Sequence, residues 1–186
     1  NYSTRFYGLT TLRQGVEKSR NLMTVRLAQD VGMDKVIELS KRLGVNDHLP
    51  PLLSMSLGAG ETKLINLTTA YAVMVNGGKK VSPYFIERIQ DRNGKTILKQ
   101  DKRLCPTCNA EYWESQEIPD LQDPREQIVD PLSAYQITSI LEGTAIRGTA
   151  ARLRGLGYHL AGKTGTTNES KDVWFMGFSP DLVVGI

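Results

Sequence analysis

The sequence predicts an α+β domain in which an antiparallel sheet is flanked by helices. Helical periodicity crowds into the first part of the chain and returns once after position 130, whereas strand-like runs gather at its end. A doubly wound fold would alternate the two, so runs of one type followed by runs of the other argue for layers. Neither an internal repeat nor a low-complexity tract is visible.

The elements follow in order. Tyr7-Gly8-Leu9-Thr10-Thr11 reads as a turn into a helix, with Thr10 or Thr11 as the N-cap, and 12–18 as that helix. Ser19-Arg20-Asn21 then precedes a strongly helical run, 22–28, that ends near Gly32. Residues 34–43 form an amphipathic helix with Val36, Ile37, Leu39 and Leu43 on its apolar face, closed by Gly44. A polar, proline-bearing loop holds His48, which reads as a solvated loop residue. Ser56-Leu57-Gly58-Ala59-Gly60-Glu61-Thr62 leads to a helix with Leu64, Leu67, Tyr71 and Met74 at helical spacing, a core stripe that Gly77-Gly78 ends. Residues 84–89 and 96–98 flank Asp91-Arg92-Asn93-Gly94 and predict a hairpin with a primed turn at Asn93-Gly94. From 99 to 128 the chain is polar and aperiodic, a long surface excursion. Asp130-Pro131 supplies an N-cap and an N1 proline to a helix. That helix is expected to bury Leu132, Tyr135, Ile140 and Leu141 and to stop at Gly143, with 144–153 as a separate helical piece. Trp174, Phe175, Met176 and Phe178 are apolar on both faces of their strand, which should be central and covered on both sides.

The chain has 186 residues, 40% hydrophobic and 23% charged, as expected of a globular domain with a sizeable core. A net charge of +3, from 23 basic and 20 acidic residues well mixed along the chain, argues against nucleic acid as a partner. No apolar run reaches 18 residues, and Asn1-Tyr2-Ser3-Thr4-Arg5 is not a signal peptide, so any membrane anchor is expected outside this chain. Both ends read as cut: the chain opens in mid-loop without a methionine and stops within an apolar strand, 182–186, so a fragment is expected. Cys105-Pro106-Thr107-Cys108 holds both cysteines. It lacks the β-α-β setting of a redox motif, and with only His48 and His159 elsewhere it lacks the ligands of a metal site. A short-range disulfide and two idle thiols remain open, with the disulfide favoured in an oxidising compartment.

Chemistry concentrates in His159-Leu160-Ala161-Gly162-Lys163-Thr164-Gly165-Thr166-Thr167-Asn168. A cation, three hydroxyls and two glycines in so few residues suit an anion or a developing oxyanion, since lysine loses its proton readily when desolvated and glycine admits a ligand to the backbone. Gly157 to Thr164 satisfies the nucleotide-binding pattern G-x-x-x-x-G-K-[ST]. That pattern works only between a strand and a helix whose N-terminal amides hold phosphate. Upstream lies a charged helical turn, 149–155, and downstream Gly165, Thr166, Thr167 and Asn168 are poor helix formers that lead to a strand-like run. The stretch therefore reads better as the lysine-threonine-glycine strand of serine acyltransferases that interact with penicillin. Ser19 and Asn21, taken alone, read as helix capping, although a serine and an asparagine two apart at a helix junction can also point into one cleft.

Taken together, these segments resemble the transpeptidase domain of class A, bifunctional penicillin-binding proteins. The resemblance runs along nearly the whole chain through Tyr7-Gly8-Leu9-Thr10-Thr11-Leu12, Ser19-Arg20-Asn21, Leu57-Gly58-Ala59-Gly60-Glu61-Thr62, residues 70–78, Gly148-Thr149-Ala150, Gly162-Lys163-Thr164-Gly165-Thr166-Thr167 and residues 172–178. In this order the pieces are specific, and they override the capping reading of Ser19 and Asn21. The resemblance implies a partial transpeptidase domain over 1–186, with 99–128 as a surface excursion. It implies that Ser19 relays a proton to the leaving amine and that Lys163 keeps the site positive and shares Ser19's hydrogen bonds. Asn21 would hold a substrate amide, Thr164 and Thr166 would bind the terminal carboxylate of the donor peptide, and the Thr166 N–H would form half of an oxyanion hole. Gly165 would let a substrate strand lie alongside.

The implied reaction is acyl transfer through a serine acyl-enzyme, from D-alanyl-D-alanine stem peptides of peptidoglycan, with β-lactams as competing acylators. Neither cofactor nor metal is implied. The family's serine-x-x-lysine nucleophile signature is missing, since no Ser here has Lys three residues on. The segment by itself should therefore be unable to form the acyl-enzyme. The resemblance also implies a glycosyltransferase domain and a membrane helix elsewhere in the protein, and a place at the periplasmic face of the inner membrane. A β-lactamase-type hydrolase, a non-catalytic penicillin or peptide receptor and, more remotely, a P-loop NTPase are the rival readings. The length of chain between the two signatures favours the polymer-directed enzyme.

Overall fold

The computed structural model describes residues 7–103, 105, 108, 112, 114–115, 118–119 and 121–186. The expectation for Asn1 to Arg5 lies outside the described residues, as do Pro106 and Thr107 between the cysteines. In chain order the elements are α1 (Leu12–Glu17), α2 (Asn21–Val31), α3 (Met33–Arg42), α4 (Leu64–Val75), β1 (Arg88–Gln90), β2 (Thr96–Lys99), α5 (Pro131–Arg147), β3 (Ala161–Thr166), β4 (Val173–Phe178) and β5 (Val183–Gly185). Single 3₁₀ turns occur at Leu53–Leu57, Ala151–Leu156 and Asn168–Ser170. Two compact units result: one from Asn1–Val81 and Gln127–Ile186, the other from Ser82–Glu126.

The first unit packs helices on a three-stranded antiparallel sheet of order β3-β4-β5. β4 is its central strand, as its apolar sequence predicts. Its burial is less uniform than predicted: Met176, Gly177 and Phe178 are buried while Val173 is exposed. Across the sheet Lys163 pairs with Met176 and Ala161 with Phe178, so alternation puts these four side chains on one face. That face meets the helices. Leu141 of α5 joins Ala161 and Phe178 in one core cluster, against which Tyr71 and Val75 of α4 pack. Tyr71 lies 6.4 Å from the Phe178 ring, and burial raises its pKa to about 12. On the other face the Phe175 ring lies over Gly162 and Gly177, where a Cβ on either glycine would collide with it. A second cluster joins Leu43, Ala70 and Val73.

Helix ends follow the sequence closely. Thr11 caps α1, its hydroxyl accepting from the Gln14 N–H at 3.3 Å, and Asp130 caps α5 through the Ser133 N–H at 2.8 Å. After α3 the N–H groups of Gly44 and Val45 bond the carbonyls of Lys41 and Ser40, with Gly44 at φ +69°. This is the Schellman pattern that glycine makes inexpensive.

Helix interiors depart from expectation. α5 runs through Gly143 to Arg147, so residues 144–147 belong to it, and only Ala151–Leu156 forms a separate 3₁₀ turn. Leu132 and Tyr135 are 73% exposed, and the buried positions are Ala134, Leu141, Gly143, Thr144 and Ala145. Close approach of α1 explains glycine at position 143, where a Cβ would strike the Glu17 carboxylate. In α4 the deepest residues are likewise Ala70 and Val73, while Leu64 is exposed and Leu67, Tyr71 and Met74 are partly buried. Leu39 of α3 is exposed.

In the second unit β1 and β2 form the predicted antiparallel hairpin with a different turn. A type I′ turn at Asn93-Gly94 needs positive φ at both residues and a type II′ turn needs it at the first, yet of the two only Gly94 has it, at +82°. Asp91 instead closes a longer loop, its Oδ1 accepting from the N–H groups of Asn93 at 2.8 Å and Lys95 at 2.9 Å. Cys105 and Cys108 are joined in a disulfide.

Candidate active site

β3 is an edge strand among the described residues, and its free edge carries the site. Phe175 exchanges both backbone hydrogen bonds with Ile186, so its polar groups point toward β5. In an antiparallel ladder the residue opposite Phe175 on β3, Thr164, must therefore turn its own N–H and C=O away from β4. Gly162 and Thr166 share that parity. Two of these outward carbonyls are occupied: Gly162 O accepts from the buried Thr144 hydroxyl and Thr164 O from Lys163 Nζ at 2.7 Å. The Thr166 N–H points to the same open edge.

The opposing wall is the α1–α2 junction. Lys163 Nζ donates to Ser19 Oγ at 2.9 Å, across 144 positions of sequence. Desolvation lowers the pKa of Lys163 below the usual lysine value. Ser19 has φ +52°, in the left-handed region that non-glycine residues occupy at a cost. Arg20, the next residue, lies 3.3 Å over the Tyr7 ring, and Asn21 is the exposed first residue of α2. On the strand, Thr164 Oγ1 lies 3.1 Å from Thr149 Oγ1. Gly165 and Thr166 are exposed, and a Cβ at Gly165 would meet nothing within 4 Å. All six residues singled out in the sequence thus lie on the two segments that the Lys163–Ser19 contact joins.

This geometry removes the nucleotide-binding reading. Lys163 lies within β3, and the chain continues through Thr166 into a tight hairpin, with the Thr167 N–H bonded to Asp172 O at 3.0 Å, and then into β4. A phosphate-binding loop would open a helix there. A cavity of about 340 Å³, lined in part by Thr138, Glu142, His159, Ala161 and Phe178, lies at the opposite end of β3 and includes neither Ser19 nor Lys163. The site itself lies along the open edge of β3, a surface with which an extended chain can pair.

The chain matches, over residues 1–184, the family model described as penicillin-binding protein transpeptidase domain. It belongs to this family. Among relatives of the transpeptidase domain, penicillin-binding protein 1A of Rickettsia prowazekii (strain Madrid E) is 50% identical over the whole chain, and that of Neisseria meningitidis serogroup B (strain MC58) is 36% identical. The chain spans 24% and 22% of their lengths, about a quarter of the curated relatives it matches. The crystal structure of penicillin-binding protein 1A from Haemophilus influenzae superposes with a TM-score of 0.80 at 30% identity, covering 97% of this chain and 30% of that one. PonA1 of Mycobacterium tuberculosis, solved with penicillin V, shares the transpeptidase fold at a TM-score of 0.77 and 19% identity, covering 100% of this chain and 49% of that one.

Four residues around the site escaped the sequence reading. Glu17 and Arg147 form a bidentate ion pair behind Ser19, with distances of 2.9 and 2.5 Å. Thr144 and Thr149 tie α5 and the segment after it to β3. Thr149 stood within a quoted motif without a role. An isolated glycine inside a helix, Gly143, was the available sign of a close approach.

Proposed function

We propose that this chain supplies two walls of the acyl-transfer site of a peptidoglycan D,D-transpeptidase, and that the whole protein cross-links stem peptides through a serine acyl-enzyme. The observation that carries this reading is the 2.9 Å contact between Lys163 and Ser19 across the groove. A desolvated lysine with a lowered pKa gives up and recovers a proton more readily than a solvated one. Ser19 Oγ, within hydrogen-bond reach of it, can pass that proton to the departing amine. The positive Lys163, with the hydroxyls of Thr164 and Thr166, favours a peptide that ends in a carboxylate. The outward N–H of Thr166 is suited to a developing oxyanion, a contribution of about 3 kcal/mol to the barrier where such donors have been removed. Asn21 would hold a substrate amide, and Gly165 leaves room for a strand laid against β3.

The nucleophile belongs to another part of the protein, because no serine here has lysine three residues on. Stem peptides ending in D-alanyl-D-alanine and β-lactams are the substrates and inhibitors this site suits, and hydrolysis of the same acyl-enzyme would make it a carboxypeptidase. The periplasmic face of the inner membrane is where such substrates occur, and a membrane anchor would lie outside this chain. Among the described residues no helix is long and apolar enough to span a membrane. The test is to label the full-length protein with a fluorescent penicillin and repeat it with Lys163→Ala. Covalent labelling that the substitution largely abolishes supports the reading, and equal labelling of the variant counts against it.

A further inference from the structure

We propose that Glu17 and Arg147 are positioning residues that set Ser19 against Lys163, an inference that rests on the functional reading above. Glu17 closes α1 two residues before Ser19 and is 2% exposed. Its carboxylate accepts from Arg147 Nε at 2.9 Å and Nη2 at 2.5 Å, with Arg13 Nη1 at 3.7 Å from the same Oε1. Arg147 is the last residue of α5. The backbones are tied as well: the Thr149 N–H donates to Glu17 O at 3.1 Å, and Lys18 Nζ donates to Arg147 O. Two glycines make room, since a Cβ at Gly143 would strike the Glu17 carboxylate and one at Gly148 would strike its carbonyl.

The same helix end grips the other wall of the groove. Thr144 Oγ1 donates to Gly162 O, and Thr149 Oγ1 lies 3.1 Å from Thr164 Oγ1. The C-terminal turn of α5 therefore holds Ser19 through Glu17 and Lys163 through its flanking residues on β3. A left-handed serine persists only where its surroundings over-determine it, and Glu17 fixes the chain on its N-terminal side. Glu17 is buried while Arg147 is half exposed, and such a pair is a weak source of net stability because desolvation of the carboxylate offsets the attraction. The planar fork of Arg147 instead fixes orientation.

The test measures the acylation rate of the full-length protein against fluorescent penicillin concentration, in Glu17→Gln, Arg147→Lys and the core variant Val73→Ala, which lies in a cluster apart from the site. Misplacement of reacting groups by about 1 Å costs about 10²-fold. Glu17→Gln and Arg147→Lys should lose about 10- to 100-fold in the limiting acylation rate with little change in the half-saturating concentration, while Val73→Ala, compared at equal fraction folded, retains the rate. Arg147→Lys keeps the charge and carries the test by itself should Glu17→Gln not fold. Rates in both variants no lower than in Val73→Ala, or a loss confined to the half-saturating concentration, would overturn the proposal. A wild-type rate in Lys163→Ala overturns the functional reading itself. Loss of rate there with retention in both Glu17→Gln and Arg147→Lys overturns only the positioning role.

Discussion

Ser19 sits at φ +52° with its hydroxyl on a desolvated ammonium, a poor arrangement for folding and a useful one for proton transfer. Strain of this kind costs about 1–3 kcal/mol and collects at functional sites. Ser19→Gly should accordingly unfold at a higher temperature than the wild type while losing most of its penicillin acylation, measurable by thermal melts beside labelling. Lys163 behaves similarly. Its folded pKa is lowered, so below that pKa the folded state holds a proton at a cost the unfolded state does not bear. The unfolded chain binds more protons between the lowered value and about 10.5, so the stability of the wild type relative to Lys163→Met should rise as pH increases through that window. Urea unfolding at pH 8 and pH 10 checks it, and a difference that falls with pH would contradict it. At this scale the sequence was informative where chemistry is dense: the strand from Gly162 to Thr166 stood out by residue type, whereas Ser19 and Asn21, which alone read as helix capping, stood out only through the resemblance. Glu17 and Arg147 did not, because a pairing across 130 positions leaves no local pattern.

α5 does more for the site than its amphipathic pattern suggests. Thr144 is fully buried, and its hydroxyl bonds Leu141 O at 2.7 Å as well as Gly162 O. Thr144→Val keeps the shape, leaves Gly162 O unpaired, and should cost about 1–3 kcal/mol in urea unfolding. Within α4, Tyr71 has its pKa pushed up to about 12 by burial. The folded state then keeps a proton that the unfolded chain releases near pH 10, so stability conferred by neutral Tyr71 is complete below pH 10 and declines between about 10 and 12. Tyr71→Phe should flatten that decline. Helix caps and strand order were legible because threonine, aspartate, proline and glycine act locally. Which face is buried was less so: the core-facing positions of α5 are Ala134, Leu141 and Ala145, while Leu132 and Tyr135 lie off that face and are exposed, so residue size alone misled the assignment. The hairpin turn was misassigned because an aspartate side chain, at Asp91, replaced the expected dipeptide geometry.

Across the whole molecule, the first unit is made of two stretches that meet where the second leaves. Lys79 pairs with Gln127, and the Ile128 N–H bonds Gly78 O at 3.0 Å, so the exit and return points adjoin. Loop length costs little once its ends are fixed. Replacing residues 82–126 by a short Gly-Ser linker in the full-length protein should therefore leave penicillin labelling intact, and loss of labelling would show that the second unit supports the site. The α+β architecture was readable from the order of elements alone, whereas the juxtaposition of positions 19 and 163 rested on the resemblance until the fold supplied it. The most direct test of that juxtaposition is a crystal structure of the full-length protein acylated by penicillin. The account predicts the acyl oxygen at the Thr166 N–H, the ligand carboxylate on Thr164 and Thr166, and Ser19 Oγ within hydrogen-bond distance of Lys163 Nζ. An acyl group bound away from β3, or Ser19 and Lys163 separated by the width of the groove, would contradict it.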